Sequence, residues 1–246
     1  MIFLKKYKNP YNTKNTSLFF YMQNTFFTLK NKRNLTSDVF LLEFETKGNL
    51  DFVAWQFITF LLPKTGFRRA YSVLQKHGNT WRFIVKRLEN GRWWSIELCD
   101  LELWSEIPWV GPVWHFVLSE KNNNKLFIAT GTGMVPIFSM IEKLSFDSYS
   151  QKIWLLYGNR SQSEHYFTQE FWDLWKNITN FEFLSCLSWE NIIWFTHGRV
   201  TTLLILEMIQ KYDEFYICWS PAMVDDVKNI LEQNNVKKEK IFFEKY

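Results

Sequence analysis

The stretch Leu126-Phe127-Ile128-Ala129-Thr130-Gly131-Thr132-Gly133-Met134-Val135-Pro136 decides how the C-terminal half is built. Its four leading apolar residues are too few for a helix and suit a strand buried on both faces. Small residues follow, and from Met134 to Leu144 the apolar pattern has the length of a helix. Such a loop lets the free N–H groups at a helix start approach a phosphate, although by itself it is also an ordinary strand-to-helix turn. Downstream the same rhythm repeats, with strand candidates at 153–157, 181–186, 215–218 and 241–243 and helical stretches at about 164–176, 200–210 and 221–234. Alternation of this kind predicts a parallel sheet with helices on both faces, which places ligands at the carboxyl ends of the strands.

Upstream the pattern is different. From about Thr25 to Leu118 the apolar runs are short and strand-like, as in Val39-Phe40-Leu41-Leu42-Glu43-Phe44 and Trp81-Arg82-Phe83-Ile84-Val85. Lys47-Gly48-Asn49, Pro63-Lys64-Thr65-Gly66 and His77-Gly78-Asn79 punctuate them as turns. This half is expected to be an antiparallel barrel or sandwich over 22–120, joined by the polar link Glu120 to Asn124 to an α/β domain over 125–246. Residues 1–21 are expected to be a basic tail or to precede the true start at Met22.

Composition narrows the functional classes. Apolar residues make up 47% and charged residues 22%, as in ordinary globular proteins. No apolar run approaches the roughly 20 residues that span a bilayer, and the N-terminal stretch lacks a signal-peptide core, so a cytoplasmic location is expected. The net charge of +4 is mild and its basic residues are scattered, which argues against a nucleic-acid partner. Cys99, Cys186 and Cys218 are too far apart for a zinc or iron–sulfur cluster, and His77, His115, His165 and His197 have no partners in sequence, so neither a metal nor a histidine base is expected.

Arg69-Ala70-Tyr71-Ser72 closes a strand in the first half. An arginine fork can neutralise a pyrophosphate, an aromatic ring can stack on a flat heterocycle, and a hydroxyl can hydrogen-bond a ring nitrogen. Alternation puts Arg69 and Tyr71 on one face and Ser72 on the other. Further along come Val85-Lys86-Arg87, Gly91 to Ser95, Gly111-Pro112, the Thr130 to Pro136 loop, Tyr157-Gly158-Asn159-Arg160 and Cys218-x-x-Pro221-x-Met223. In this order, over about residues 22 to 246, the pieces resemble the ferredoxin-NADP reductase superfamily.

The resemblance implies an N-terminal antiparallel FAD-binding β barrel and a C-terminal parallel-sheet, Rossmann-like NAD(P)-binding α/β domain. It implies that Arg69 contacts the FAD pyrophosphate, Tyr71 stacks on the flavin ring, and Ser72, in the same Arg69-Ala70-Tyr71-Ser72 segment, approaches flavin N5. Val85 and Lys86 would line the flavin through their backbone, and the loop Gly91, Trp93, Trp94 and Ser95 would hold its pyrophosphate. Thr130, Gly131, Thr132 and Gly133 would cradle the NAD(P)H pyrophosphate, with Cys218 beside the nicotinamide. Glu244 and Tyr246 resemble the family's C-terminal acidic and aromatic positions near the flavin. Ser72 and Cys218 would flank hydride transfer. The implied activity is an NAD(P)H-oxidising flavoprotein that passes electrons to a ferredoxin, flavodoxin or other redox acceptor. A free-flavin reductase and an electron-transfer subunit of a multicomponent oxidoreductase are the alternatives. Arg160 or Arg199 could meet a 2′-phosphate, but some NADPH-using relatives carry arginine where Trp189 stands, which favours NADH.

Tryptophan stands at several positions where that family has glycine. The chain has 13 Trp against 9 Gly. Trp55 precedes Gln56 where the family has Gly-Gln, Trp93-Trp94 fill the flavin-phosphate loop, and Trp114 follows Gly111-Pro112-Val113. Trp104 and Trp219 also fall on usual glycines, and Trp109, Trp189 and Trp194 are further cases, whereas Trp81 and Trp172 read as genuine. Forcing a non-glycine residue into a strained backbone costs about 1–3 kcal/mol, and a native domain has only about 5–15 kcal/mol to spare. The expectation is therefore a gene in which UGA encodes glycine and has been read as tryptophan. The competing expectation is a cofactor-free relative whose cavity is filled by indoles.

Overall fold

The computed structural model of the chain describes residues 26–48, 50–89 and 93–246, so the expectations for residues 1–21 and for Gly91 lie outside the described residues. The first half folds into seven strands: β1 (Phe26–Asn34), β2 (Val39–Thr46), β3 (Phe57–Leu61), β4 (Arg68–Ser72), β5 (Gln75–His77), β6 (Thr80–Lys86) and β7 (Glu106–Val113). They pair antiparallel in the order β4-β3-β7-β1-β2-β6-β5. Just past β4, the Leu74 N–H donates to the Arg82 carbonyl on β6 at 2.9 Å, which draws the two ends of the sheet together into a barrel-like closure.

The inward side chains follow the two-residue period of each strand. Phe27 and Leu29, Leu42 and Phe44, Ile58 and Phe60, and Trp81, Phe83 and Val85 form one aromatic-rich core. β7 is central, between β3 and β1, although its Pro108 and Pro112 argue against a central strand in sequence. Pairing with β3 slips by a bulge between Phe57 and Thr59, which absorbs the irregular end around Gly111-Pro112.

The second half is a six-stranded sheet of β8 (Lys125–Thr130), β9 (Ile153–Asn159), β10 (Phe181–Leu187), β11 (Thr196–His197), β12 (Glu214–Trp219) and β13 (Ile241–Lys245). All neighbours are parallel, in the order β11-β10-β9-β8-β12-β13. Besides the short α1 (Trp94–Cys99) of the first half, the helices are α2 (Met134–Phe146), α3 (Thr168–Asn177), α4 (Val200–Leu203), α5 (Leu206–Ile209) and α6 (Pro221–Gln233). α2 and α3 cover one face, while α4, α5 and α6 cover the other.

The helix expected over 200–210 is two single turns. Thr202 caps the first turn, its Oγ1 donating to the Arg199 carbonyl at 2.8 Å and accepting the Arg199 N–H at 3.2 Å, and the break falls at Leu204 and Ile205, whose ψ of 84° and 160° leave the helical region. The stretch expected from residue 164 begins its helix at Thr168, after a separate 3-10 turn over Gln162–Glu164.

Two features position the site. The strand order runs outward from β8 to β11 on one side and from β12 to β13 on the other, so the order of connection reverses between the parallel strands β8 and β12, the place where a crevice forms at the carboxyl ends. The barrel packs against this region: Val39, Leu41, Leu74 and Ile84 share one apolar cluster with Met134, Val135 and Phe138 of α2.

Candidate functional site

At the reversal point β8 ends at Thr130, Gly131–Gly133 form a 3-10 turn, and α2 starts at Met134. The turn is held from below by the Tyr157 hydroxyl, which donates to the Gly131 carbonyl at 3.2 Å. Gly133 is required by its neighbour: a Cβ there would lie 2.5 Å from the carbonyl oxygen of Cys218 and from the Cβ of Trp219. The end of β12 therefore forms one wall of the loop and the α2 N–H groups its floor, a geometry suited to a pyrophosphate.

Cys218 is fully buried at that wall. Burial pushes its thiol well above the usual value and the Glu244 charge adds to the shift, so it is a neutral thiol and not a nucleophile. Burial raises Cys99 and Cys186 to about 12, which leaves both as core residues. In the parallel register Cys218 is paired with Glu244 of β13. Burial also raises the Glu244 carboxyl, opposed by a hydrogen bond from Tyr246 and by the charge of His115. His115, given no role in sequence, thus belongs to this surround; its only signal was its place beside the Gly111-Pro112 turn.

Across the seam from Cys218 stands the end of β4. Along it Arg69 is half-buried, Ala70 exposed, Tyr71 half-buried against Phe60 with ring centroids 6.0 Å apart, and Ser72 buried. Burial raises the Tyr71 hydroxyl far out of the range in which it could ionise. The Ser72 Oγ lies 2.6 Å from the Tyr246 hydroxyl, which donates to Glu244 Oε2 at 2.7 Å. The structure thereby brings Ser72, Tyr246, Glu244 and Cys218 into one continuous line across the two halves.

The remaining residues expected on the flavin side are less convergent. Val85 is fully buried in the barrel, and the Lys86 ammonium is 3.0 Å from Asp38. Ser95 is buried in α1 and its Oγ accepts the Leu88 N–H at 3.0 Å, tying the helix to the end of β6. Glu97, which drew no attention in sequence, organises the facing loop by accepting the N–H groups of Lys64 and Thr65 at 2.8 and 2.9 Å.

Two indoles lie where the expected groups would go. The Arg69 guanidinium is 3.5 Å from the ring centroid of Trp94, so its cationic face is covered. A Cβ on Gly131 would lie 3.3 Å from Trp219 Nε1, so the Trp219 indole covers the phosphate loop, and its ring stands 5.9 Å from that of Tyr246. The backbone of the Gly131–Gly133 turn suits a pyrophosphate, and the Trp219 side chain over it does not. Among the described residues no group of three or more potential metal ligands exists.

A six-stranded parallel sheet with its glycine loop at the reversal point, packed against an antiparallel barrel, defines the class of two-domain nicotinamide-nucleotide and flavin-binding folds. Residues 127–229 match the oxidoreductase NAD-binding domain family. The chain is 26% identical over 210 residues to the reductase component of propane 2-monooxygenase from Mycolicibacterium smegmatis, covering 81% of this chain and 60% of that protein. Among solved structures, an Amycolatopsis cytochrome P450 reductase superimposes with a TM-score of 0.82 at 20% identity, over 90% of this chain and 69% of that one. The ferredoxin-NADP+ reductase of Plasmodium falciparum does so with 0.77 at 22% identity, over 90% and 95%. The chain shares the two-domain fold of these reductases. It spans about three fifths of the length of the M. smegmatis relative. No helix among the described residues is long and apolar enough to cross a membrane.

Proposed function

We propose that this chain is the NAD(P)H-oxidising flavoprotein unit of an electron-transfer system, with FAD on the barrel side and the nicotinamide nucleotide on the parallel sheet. The observation that carries the proposal is the line from Ser72 through Tyr246 and Glu244 to Cys218, which joins the barrel strand end to the wall of the glycine loop. A bound flavin supplies the conversion between two-electron and one-electron chemistry, and the protein supplies binding and orientation. Ser72 contributes a hydroxyl at the seam, the neutral Cys218 a small uncharged surface, and Tyr246 an aromatic cover that hydrogen-bonds both Ser72 and Glu244. The resemblance to a monooxygenase reductase component supports a protein acceptor of the ferredoxin or oxygenase kind.

NADH is the proposed donor. The loops after β9 and β10 carry two carboxylates: Glu164 accepts the Arg160 N–H at 3.3 Å and Glu190 accepts the Gln162 N–H at 2.6 Å. Arg160 lies against the Trp189 ring, 5.1 Å from its centroid. Acidic groups at strand ends of this type suit a ribose hydroxyl and repel a 2′-phosphate.

The test is stopped-flow reduction by NADH of flavin-loaded protein, with tryptophan and with glycine at positions 55, 93, 94, 104 and 219. Ser72→Ala and Cys218→Ala should each slow flavin reduction by roughly tenfold with little change in nucleotide affinity. Failure of every form to bind flavin, or unchanged reduction in both alanine variants, overturns the assignment.

A further inference from the structure

Among the described residues the backbone takes positive φ at six glycines and at six other residues: Trp55 (70°), Trp93 (66°), Trp104 (72°), Ser148 (54°), Trp219 (122°) and Asn235 (63°). Tryptophan makes up 13 of 246 residues, so it should supply none or one of six such positions, yet it supplies four. Asn is the common non-glycine occupant of this region; a bulky side chain there is a true outlier. The family resemblance sets Trp55, Trp104 and Trp219 on usual glycines and Trp93 in the flavin-phosphate loop, and all four have the backbone that glycine favours.

The other tryptophans behave differently. Trp81 and Trp109 fill the barrel core on β6 and β7, with ring centroids 5.6 and 4.6 Å from Phe27. Neither has positive φ. Trp93, Trp104 and Trp219 instead bring large rings to the surface or over the cradle; Trp93 is 67% and Trp104 66% exposed. An indole that neither fills a core nor tolerates its own backbone has no structural reason to be there.

We infer that positions 55, 93, 104 and 219 are glycine in the polypeptide made by the source organism, encoded by UGA, and that the native phosphate loop is open where the Trp219 indole covers Gly131. The second clause rests on the function proposed above; the first does not. Removing the indole at 219 leaves the wall of the loop as backbone alone, Cys218 to Ser220, which a pyrophosphate or nicotinamide can approach closely. It also frees the space between Gly131 and Tyr246. Glycine at 93 relieves the residue that precedes α1 and adjoins Trp94, whose ring covers Arg69.

The experiment has two independent readouts. Genomic codons and peptide masses of the protein isolated from its source cells should show UGA and glycine at all four positions; UGG codons, or UGA with tryptophan in the peptide, overturn the inference. Separately, Trp219→Gly in the recombinant chain should raise the melting temperature, although deleting an indole normally lowers it, and should tighten NADH binding by roughly tenfold or more. Trp81→Gly, in the core, should lower the melting temperature as the control. A lower melting temperature for Trp219→Gly overturns the backbone argument. Glycine at all four sites without any nucleotide binding leaves the decoding intact and sinks the functional reading instead.

Discussion

The two ends of the parallel sheet are opposites. At the amino end of β8 and β12, Lys125 and Glu214 are completely enclosed, with Nζ and Oε2 at 2.8 Å. Lys125 also donates to the Lys121 carbonyl and the Asn123 side chain, and the Tyr216 hydroxyl donates to Glu214 while accepting the Ser119 N–H. Every buried charge there has its partners. At the carboxyl end of the same two strands the backbone is strained at Trp219, the Cys218 thiol is neutral, and the Glu244 carboxyl is pushed up by burial. One end is finished by a buried ion pair, whereas the other combines a strained backbone with a thiol and a carboxyl that burial raises. Binding sites are drawn from the second kind.

The largest expected effect lies at the finished end. Lys125→Met leaves Glu214 buried without its cation and should lower stability by about 3–5 kcal/mol, measured by urea unfolding. Replacing both residues with apolar ones of similar size should recover most of that loss. If the single replacement is harmless, the contrast between the ends fails.

Acid should separate them next. His165, near the carboxyl ends of β9 and β10, packs among Tyr157, Phe171 and Phe195 and bonds the Ser185 hydroxyl. Burial lowers it to about 4. Between its unfolded value near 6.5 and about 4 the unfolded chain binds the extra proton, so stability falls as pH drops through that window, by about 3 kcal/mol at most. Glu214 is also lowered but for a different reason: burial alone would raise it, and the hydrogen bond and charge of Lys125 outweigh burial and hold it below its ordinary value. Its contribution is present above the usual carboxylate range and is lost only as pH falls below it. Hydrogen exchange should therefore show the carboxyl end loosening near pH 5 while the amino end stays protected, and His165→Leu should remove the early phase.

The smallest expected effect concerns donor choice at the carboxyl end. With the glycine-bearing protein, kcat/KM for NADH should exceed that for NADPH by roughly tenfold, and Glu190→Gln should narrow the gap. A preference for NADPH would mean that Arg160, not the two carboxylates, governs the site.

Much of this architecture was legible in the chain. Leu126 to Ala129 and Ile153 to Tyr157 are strands because continuous apolar runs suit a sheet covered on both faces, and Pro221 to Gln233 starts behind a serine cap with proline in its first turn. β7 was not legible, because Pro108 and Pro112 hide a central strand whose partners are supplied by β1 and β3. The Lys125–Glu214 pair was also hidden, since 89 residues separate its members. Of the site, the glycine loop and Arg69 to Ser72 declared themselves through local pattern. The Tyr246 bridge and the place of His115 did not, because they depend on how the chain end folds back beside the barrel.

By itself the sequence determined the order of elements, the residue types at each strand end and the mismatch of tryptophan with glycine, since these follow from local periodicity and side-chain chemistry. Only the tertiary structure decided which tryptophans matter. Packing accepts Trp81 and Trp109, whose rings fill a core that needs their volume, and the backbone refuses Trp55, Trp93, Trp104 and Trp219, because a left-handed φ brings Cβ against the neighbouring peptide whatever the side chain offers in return.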